Sequence, residues 1–99
     1  METGIISMIN PQRGMIGVTL SDRTYSAIEI LDSIDFNDDL FGQKVYGPLR
    51  EEGSCDLILK SDSGKFKISA IIQNAEGILN HIIERVGLGC EIYCSREYL

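Results

Sequence analysis

Tryptophan is absent from this 99-residue chain, and aromatic residues make up only 7% of it. A ligand that has to be stacked on several exposed rings finds few candidates. His81 is the only histidine, and there is no nucleophile elbow, phosphate-binding glycine loop or paired-carboxylate signature, so no catalytic residue is assigned and the chain is not read as an enzyme. His81 falls in a helical stretch where Glu84 follows at the spacing of an ordinary surface contact. Cysteines number three, Cys55, Cys90 and Cys94, an odd set that builds no disulfide framework and is read as reduced thiols. Together with His81 they make a four-ligand zinc inventory. The tight Cys-x2-Cys pair of structural zinc sites is missing, however, and no metal or cofactor is assigned. No run approaches the roughly 18 consecutive apolar residues of a bilayer span. Met1-Glu2-Thr3-Gly4 has neither a basic nor an apolar leader character, so the expectation is a cytoplasmic protein without a membrane partner.

Positive charge is also scarce. Nine basic residues face fifteen acidic ones, a net charge of −6 that repels a polyphosphate backbone at long range. Arg13 and Arg23 are isolated, Lys60, Lys65 and Lys67 are interleaved with Asp62, and no basic patch is read from the linear order. Nucleic acid is thereby disfavoured as a partner.

What is present is the composition of one folded domain, 43% hydrophobic and 24% charged. Ile5–Ile9 is short and β-branched, and it stops at Asn10-Pro11-Gln12-Arg13-Gly14, a turn-forming sequence. Met15–Leu20 alternates, placing Ile16, Val18 and Leu20 on a core face and Met15, Gly17 and Thr19 on the other. Tyr25–Leu31 predicts a third strand with Ile28 and Ile30 on one face, and the acidic stretch Asp32–Leu40 predicts a loop. Gln43–Leu49 predicts a fourth strand. Leu57–Leu59 and Phe66–Gln73 can pair as a hairpin through Asp62-Ser63-Gly64.

From Ala75 the period changes. Ile78, Leu79, Ile82, Ile83 and Val86 line one side of a helix, with Asn74 as its N-cap and Gly87 or Gly89 as its stop. The expected organisation is a single domain with a β-barrel over residues 1–73, a helix over 74–88, and a short strand or tail over 89–99. The apolar stripe of that helix either docks on the barrel or joins a second copy of itself in a homodimer.

Gly4, Asn10, Arg13 and Gly14 stand in the order in which the first hairpin of cold-shock proteins carries a glycine, an asparagine and a Lys-Gly pair. Gly42-Gln43-Lys44-Val45 resembles that family's entry into its fourth strand. The chain resembles a cold-shock barrel over about residues 4–50, and more loosely to 73. The resemblance implies a mainly β fold: a five-stranded antiparallel OB-type barrel, followed here by the C-terminal helix. In the family, rings on the first three strands stack unpaired bases. The corresponding positions here are Met8 for the tryptophan, Met15 and Gly17 for two further rings, and Ala27, Glu29 and Ile30 for a Phe-Val-His-Phe run. The candidate binding face is therefore Met8, Arg13, Met15, Gly17, Ala27 and Glu29, with Phe36 standing in for an aromatic residue of the following loop. Methionines on such a face adapt to a partner's shape. The expected function is a non-catalytic binding or regulatory module for a protein partner, and the alternative is a single-stranded nucleic-acid binder with substituted contacts.

Overall fold

The structure is a computed structural model that describes residues 2–32, 34, 40–61, 64–86 and 91–92. Its elements run β1 (Glu2–Asn10), β2 (Met15–Thr19), β3 (Tyr25–Ile30), β4 (Lys44–Gly47), β5 (Gly53–Ser61), β6 (Gly64–Gly77), α1 (Leu79–Val86) and β7 (Glu91–Ile92).

The chain is mainly β, and its strands close an antiparallel ring in the order β1-β2-β3-β6-β5-β4 and back to β1. Closure rests on the length of β1. Its first residues, Glu2 to Ile5, pair with β4, while Ile5 to Asn10 pair with β2. The ring thus holds six strands where the family resemblance implied five. Both arms of the hairpin around Gly64 belong to it, paired from Gly53↔Ile72 to Ser61↔Gly64. Closure pairs each of the six strands on both sides and leaves only partial edges, such as the second half of β1, for another segment to extend. β7 adds a two-residue pairing to the second half of β1 through Met8↔Ile92 and Ile9↔Glu91.

Alternation fills the barrel. Ile16, Val18 and Leu20 point inward from β2 and its end, Leu57 and Leu59 from β5, and Ile68, Ala70 and Ile72 from β6. Each fully buried Ile or Leu contributes about 1.5–3 kcal/mol relative to exposure. Ser26, buried on β3, donates its hydroxyl to the Leu49 carbonyl at 2.7 Å, which ties the turn after β4 to the sheet.

The ladder between β1 and β2 slips at Ser7, between Ile6↔Val18 and Met8↔Gly17. An extra residue in one strand reverses the phase of every side chain beyond it. Ile6 and Ile9 consequently both enter the barrel, whereas Met8 points to the outside, where it meets Met15, Ala27, Ile82 and Val86 in a second, smaller core.

The helix is shorter than the periodicity suggests, and Asn74 is not its N-cap. β6 continues to Gly77 because Asn74 pairs with Ala27 and Gly77 with Tyr25, so ladder hydrogen bonds to β3 outweigh the local capping preference. Register shifts along this pairing and a left-handed φ of 55° at Glu76 turn the strand off the sheet just before α1. The proposed stop at Gly87 or Gly89, the acidic positions 35–39, and Cys90 and Cys94 lie outside the described residues. None of the described helices is long and apolar enough to cross a membrane.

Candidate functional site

The face expected to bind is covered. Met8 and Ala27 are 0% exposed and Met15 4%, sealed by Ile82 and Val86 of α1, with Tyr25 packed at the margin. Gly17 provides the fit: a Cβ there would stand 2.9 Å from the Met8 Cβ and 3.0 Å from its sulfur. The buried Asn10 side-chain amide donates to the Val86 carbonyl at 3.2 Å and satisfies a backbone acceptor at the end of α1. Met8, Met15, Gly17 and Ala27 are thus not a free binding surface but the floor of a helix seat, so the side of β2 and β3 opposite the barrel core is buried at these positions and half-buried at Thr19, Tyr25 and Glu29. A helix of eight residues is too short to persist alone in water, so its formation and its docking are one event. Ile82 and Val86 face the barrel, and Ile78, ahead of the helix, is left 61% exposed.

The remaining members of the expected face scatter. Glu29 is half-buried and accepts a hydrogen bond from the Gln73 side-chain amide at 2.8 Å. Phe36 lies outside the described residues. Arg13 is exposed on the turn between β1 and β2, where its N–H donates to the Asn10 carbonyl. It lines a shallow open cleft of about 380 Å³ with Asn74, His81 and Glu84. That cleft brings a guanidinium, an amide, an imidazole and a carboxylate to the seam between α1 and the barrel, and no serine, cysteine or lysine nucleophile is among its described lining residues. Cys55 sits half-buried on β5, where burial, and then the neighbouring Asp56 charge, push its thiol above the usual value and keep it a poor nucleophile. No group of three or more His, Cys, Asp or Glu among the described residues could hold a metal ion.

Charge on the barrel is segregated in a way the linear order conceals. At one end Arg50 binds Glu2 through Nε at 2.7 Å and Asp22 through Nη1 at 2.9 Å, with Glu76 at 3.9 Å. The Thr24 hydroxyl, at 2.6 Å, and then Arg50 hold the Asp22 carboxyl well below the usual carboxylate range. A depressed carboxylate stabilises the fold fully above its unfolded pKa of about 3.9 and loses that contribution as pH falls toward its folded value. Wild type should therefore melt above Asp22→Asn at neutral pH, and the gap should narrow as pH falls below about 4. Thermal melts of the two proteins from pH 7 to pH 2 check this, and a gap that widens in acid would refute it.

At the other end stand the lysines. Lys44 is opposite Lys60 in the β4–β5 ladder, and Lys60 is opposite Lys65 in the β5–β6 ladder. In the adjacent row Tyr46 is opposite Ile58 and Ile58 opposite Lys67. Val45 and Leu59 point inward between them, so these residues share the outer face of the sheet. Every lysine of the chain lies here, which corrects the reading that no basic patch exists. All four are exposed, and Tyr46 and Ile58 form a half-buried apolar floor, whereas Phe66, opposite the inward-pointing Leu59, belongs to the other row and is 48% exposed there. Lys67 reaches Asp56 at 3.5 Å across the surface, and Lys44, Lys60 and Lys65 make no ion pair with any described residue.

Comparison of the chain with protein-family models, with curated proteins and with solved structures finds no match.

Proposed function

We propose that this chain is a non-catalytic binding module that engages a protein partner through the outer face of β4, β5 and β6. The observation that carries the reading is the lysine row itself. Like charges placed directly opposite one another across a sheet are destabilising, yet Lys44, Lys60 and Lys65 occupy successive opposed positions in a chain of net charge −6. An anionic partner laid on that face relieves the repulsion, which gives the arrangement a use that the free fold does not supply.

Kinship with cold-shock barrels belongs to the same proposal. Its support is the first hairpin, where Asn10 to Gly14 form a tight turn with Gly14 at a φ of 64°. The family's usual ligand does not follow from it, because none of the positions that would stack bases carries a ring, and Met8, Met15 and Ala27 among them lie under α1. Titration of labelled single-stranded DNA and RNA oligonucleotides at low and moderate salt tests this. No saturable binding in the micromolar range is expected. Micromolar binding that weakens steeply with salt would instead establish the single-stranded nucleic-acid reading.

A further inference from the structure

We infer that the occupant of the lysine face is a short acidic polypeptide segment with an apolar side chain for the Tyr46 and Ile58 floor; this rests on the binding-module reading above. Neighbouring strands are about 4.8 Å apart, so the ammonium groups of Lys44, Lys60 and Lys65 span a patch of roughly 10 Å, with Lys67 in the next row. Three or four carboxylates of one extended segment cover that area.

The surroundings limit how far an anionic ligand can extend. All remaining basic residues are arginines, five against fifteen acidic residues; Glu2, Asp22 and Glu76 gather at the far end around Arg50, and Asp56, paired with Lys67, borders the lysines. Screening in physiological salt acts over about 8 Å. A ligand confined to the patch therefore feels mainly the lysines, whereas a nucleic-acid strand or a lipid surface continues past it onto carboxylates.

The chemistry of the face points the same way. Among its described residues it has no arginine, the residue that forks onto phosphate and stacks on bases, and its one ring, Tyr46, is half-buried in the floor. The ring of strands is closed, so the segment is held by side chains rather than by strand addition. Binding should be weak, fast and sensitive to salt.

The test uses the full chain and three probes: a labelled glutamate-rich peptide with a central leucine, an oligonucleotide of matched charge, and vesicles of mixed phosphatidylcholine and phosphatidylserine. Fluorescence anisotropy should show the peptide binding most tightly. Its glutamine counterpart should not bind. Lys60→Glu should weaken the peptide roughly tenfold while raising the melting temperature by a few degrees, since it turns two opposed like-charge pairs into opposite-charge pairs. That opposite movement of stability and affinity separates a binding role from simple unfolding. Absence of peptide binding, or binding indifferent to Lys60, overturns the inference. If the oligonucleotide is silent as well, only the short acidic segment falls, and the face must take its anionic partner as a folded protein. Tighter binding of the oligonucleotide overturns both the inference and the protein-partner reading, and tighter binding of the vesicles overturns the choice of a polypeptide occupant.

Discussion

Gly47→Ala should lower stability by about 2–3 kcal/mol, at the upper end of what overpacking costs, and the melting temperature by roughly 10–20 °C for a domain of this size. Gly47 ends β4 where the chain passes over Leu57, and a Cβ at this position would overlap the Leu57 side chain. Leu57 is 0% exposed and has no solvent to move into. Either the leucine leaves its rotamer or β4 lifts from β5, and both disturb the barrel core. Circular-dichroism melts of wild type, Gly47→Ala, Leu57→Ala and the double variant give a cycle that isolates the clash. The double variant should be less destabilised than the sum of the two singles, because the shortened side chain makes room for the added methyl. A Gly47→Ala protein that melts within a degree or two of wild type would show that Leu57 can yield.

Ile82→Asp should detach α1 from the barrel and expose the Met8, Met15 and Ala27 face to solvent. Ile82 is 0% exposed in the second core, and replacing it removes a buried aliphatic side chain, worth about 2–5 kcal/mol on truncation. The new carboxylate has no described cation beside it in that core and cannot be buried unpaired. The two cores are distinct, so the six-stranded ring should remain folded while the eight-residue helix, unsupported, melts. Increased binding of a hydrophobic dye, loss of helical signal and a lowered but still cooperative melt are the expected readings. Ile78→Asp is the control: Ile78 is 61% exposed, and a surface change of this kind should stay within about 0.5 kcal/mol. Dye binding that does not rise in Ile82→Asp would mean that α1 does not shield this face.

The strands were readable from the sequence because alternation and turn chemistry are local. Ile16, Val18 and Leu20 enter the barrel as their spacing requires, and the hairpin around Gly64 follows from its turn residues. The outward turn of Met8 matches the face expected for it, but its origin did not show in the sequence: the bulge at Ser7 depends on pairing with β2, and no residue near it announces an extra position. The continuation of β6 through Asn74 was hidden for the same reason, since its partner Ala27 is remote in sequence.

The lysine face was half visible. A hairpin that pairs Ser61 with Gly64 also sets Lys60 against Lys65 and Ile58 against Lys67, so the register alone joins three of the lysines. Lys44 needs the long-range pairing of β4 with β5, which no local rule supplies. Asp62, between Lys60 and Lys65 in the sequence, made the segment look mixed in charge. Arg50 was hidden too, because Glu2, Asp22 and Glu76 come to it from three separate parts of the chain.

The joining of β3 to β6 has a consequence for how the chain is made. On a ribosome, β1, β2 and β3 emerge well before the strand that completes their sheet, and until Ala70 and Ile72 arrive opposite Ile30 and Ile28 the nascent meander carries two unsatisfied borders. A ring of this connectivity condenses late, on the slower side for a small domain, from milliseconds to seconds. The half-synthesised intermediate, more than the finished molecule, is the species most in need of a chaperone.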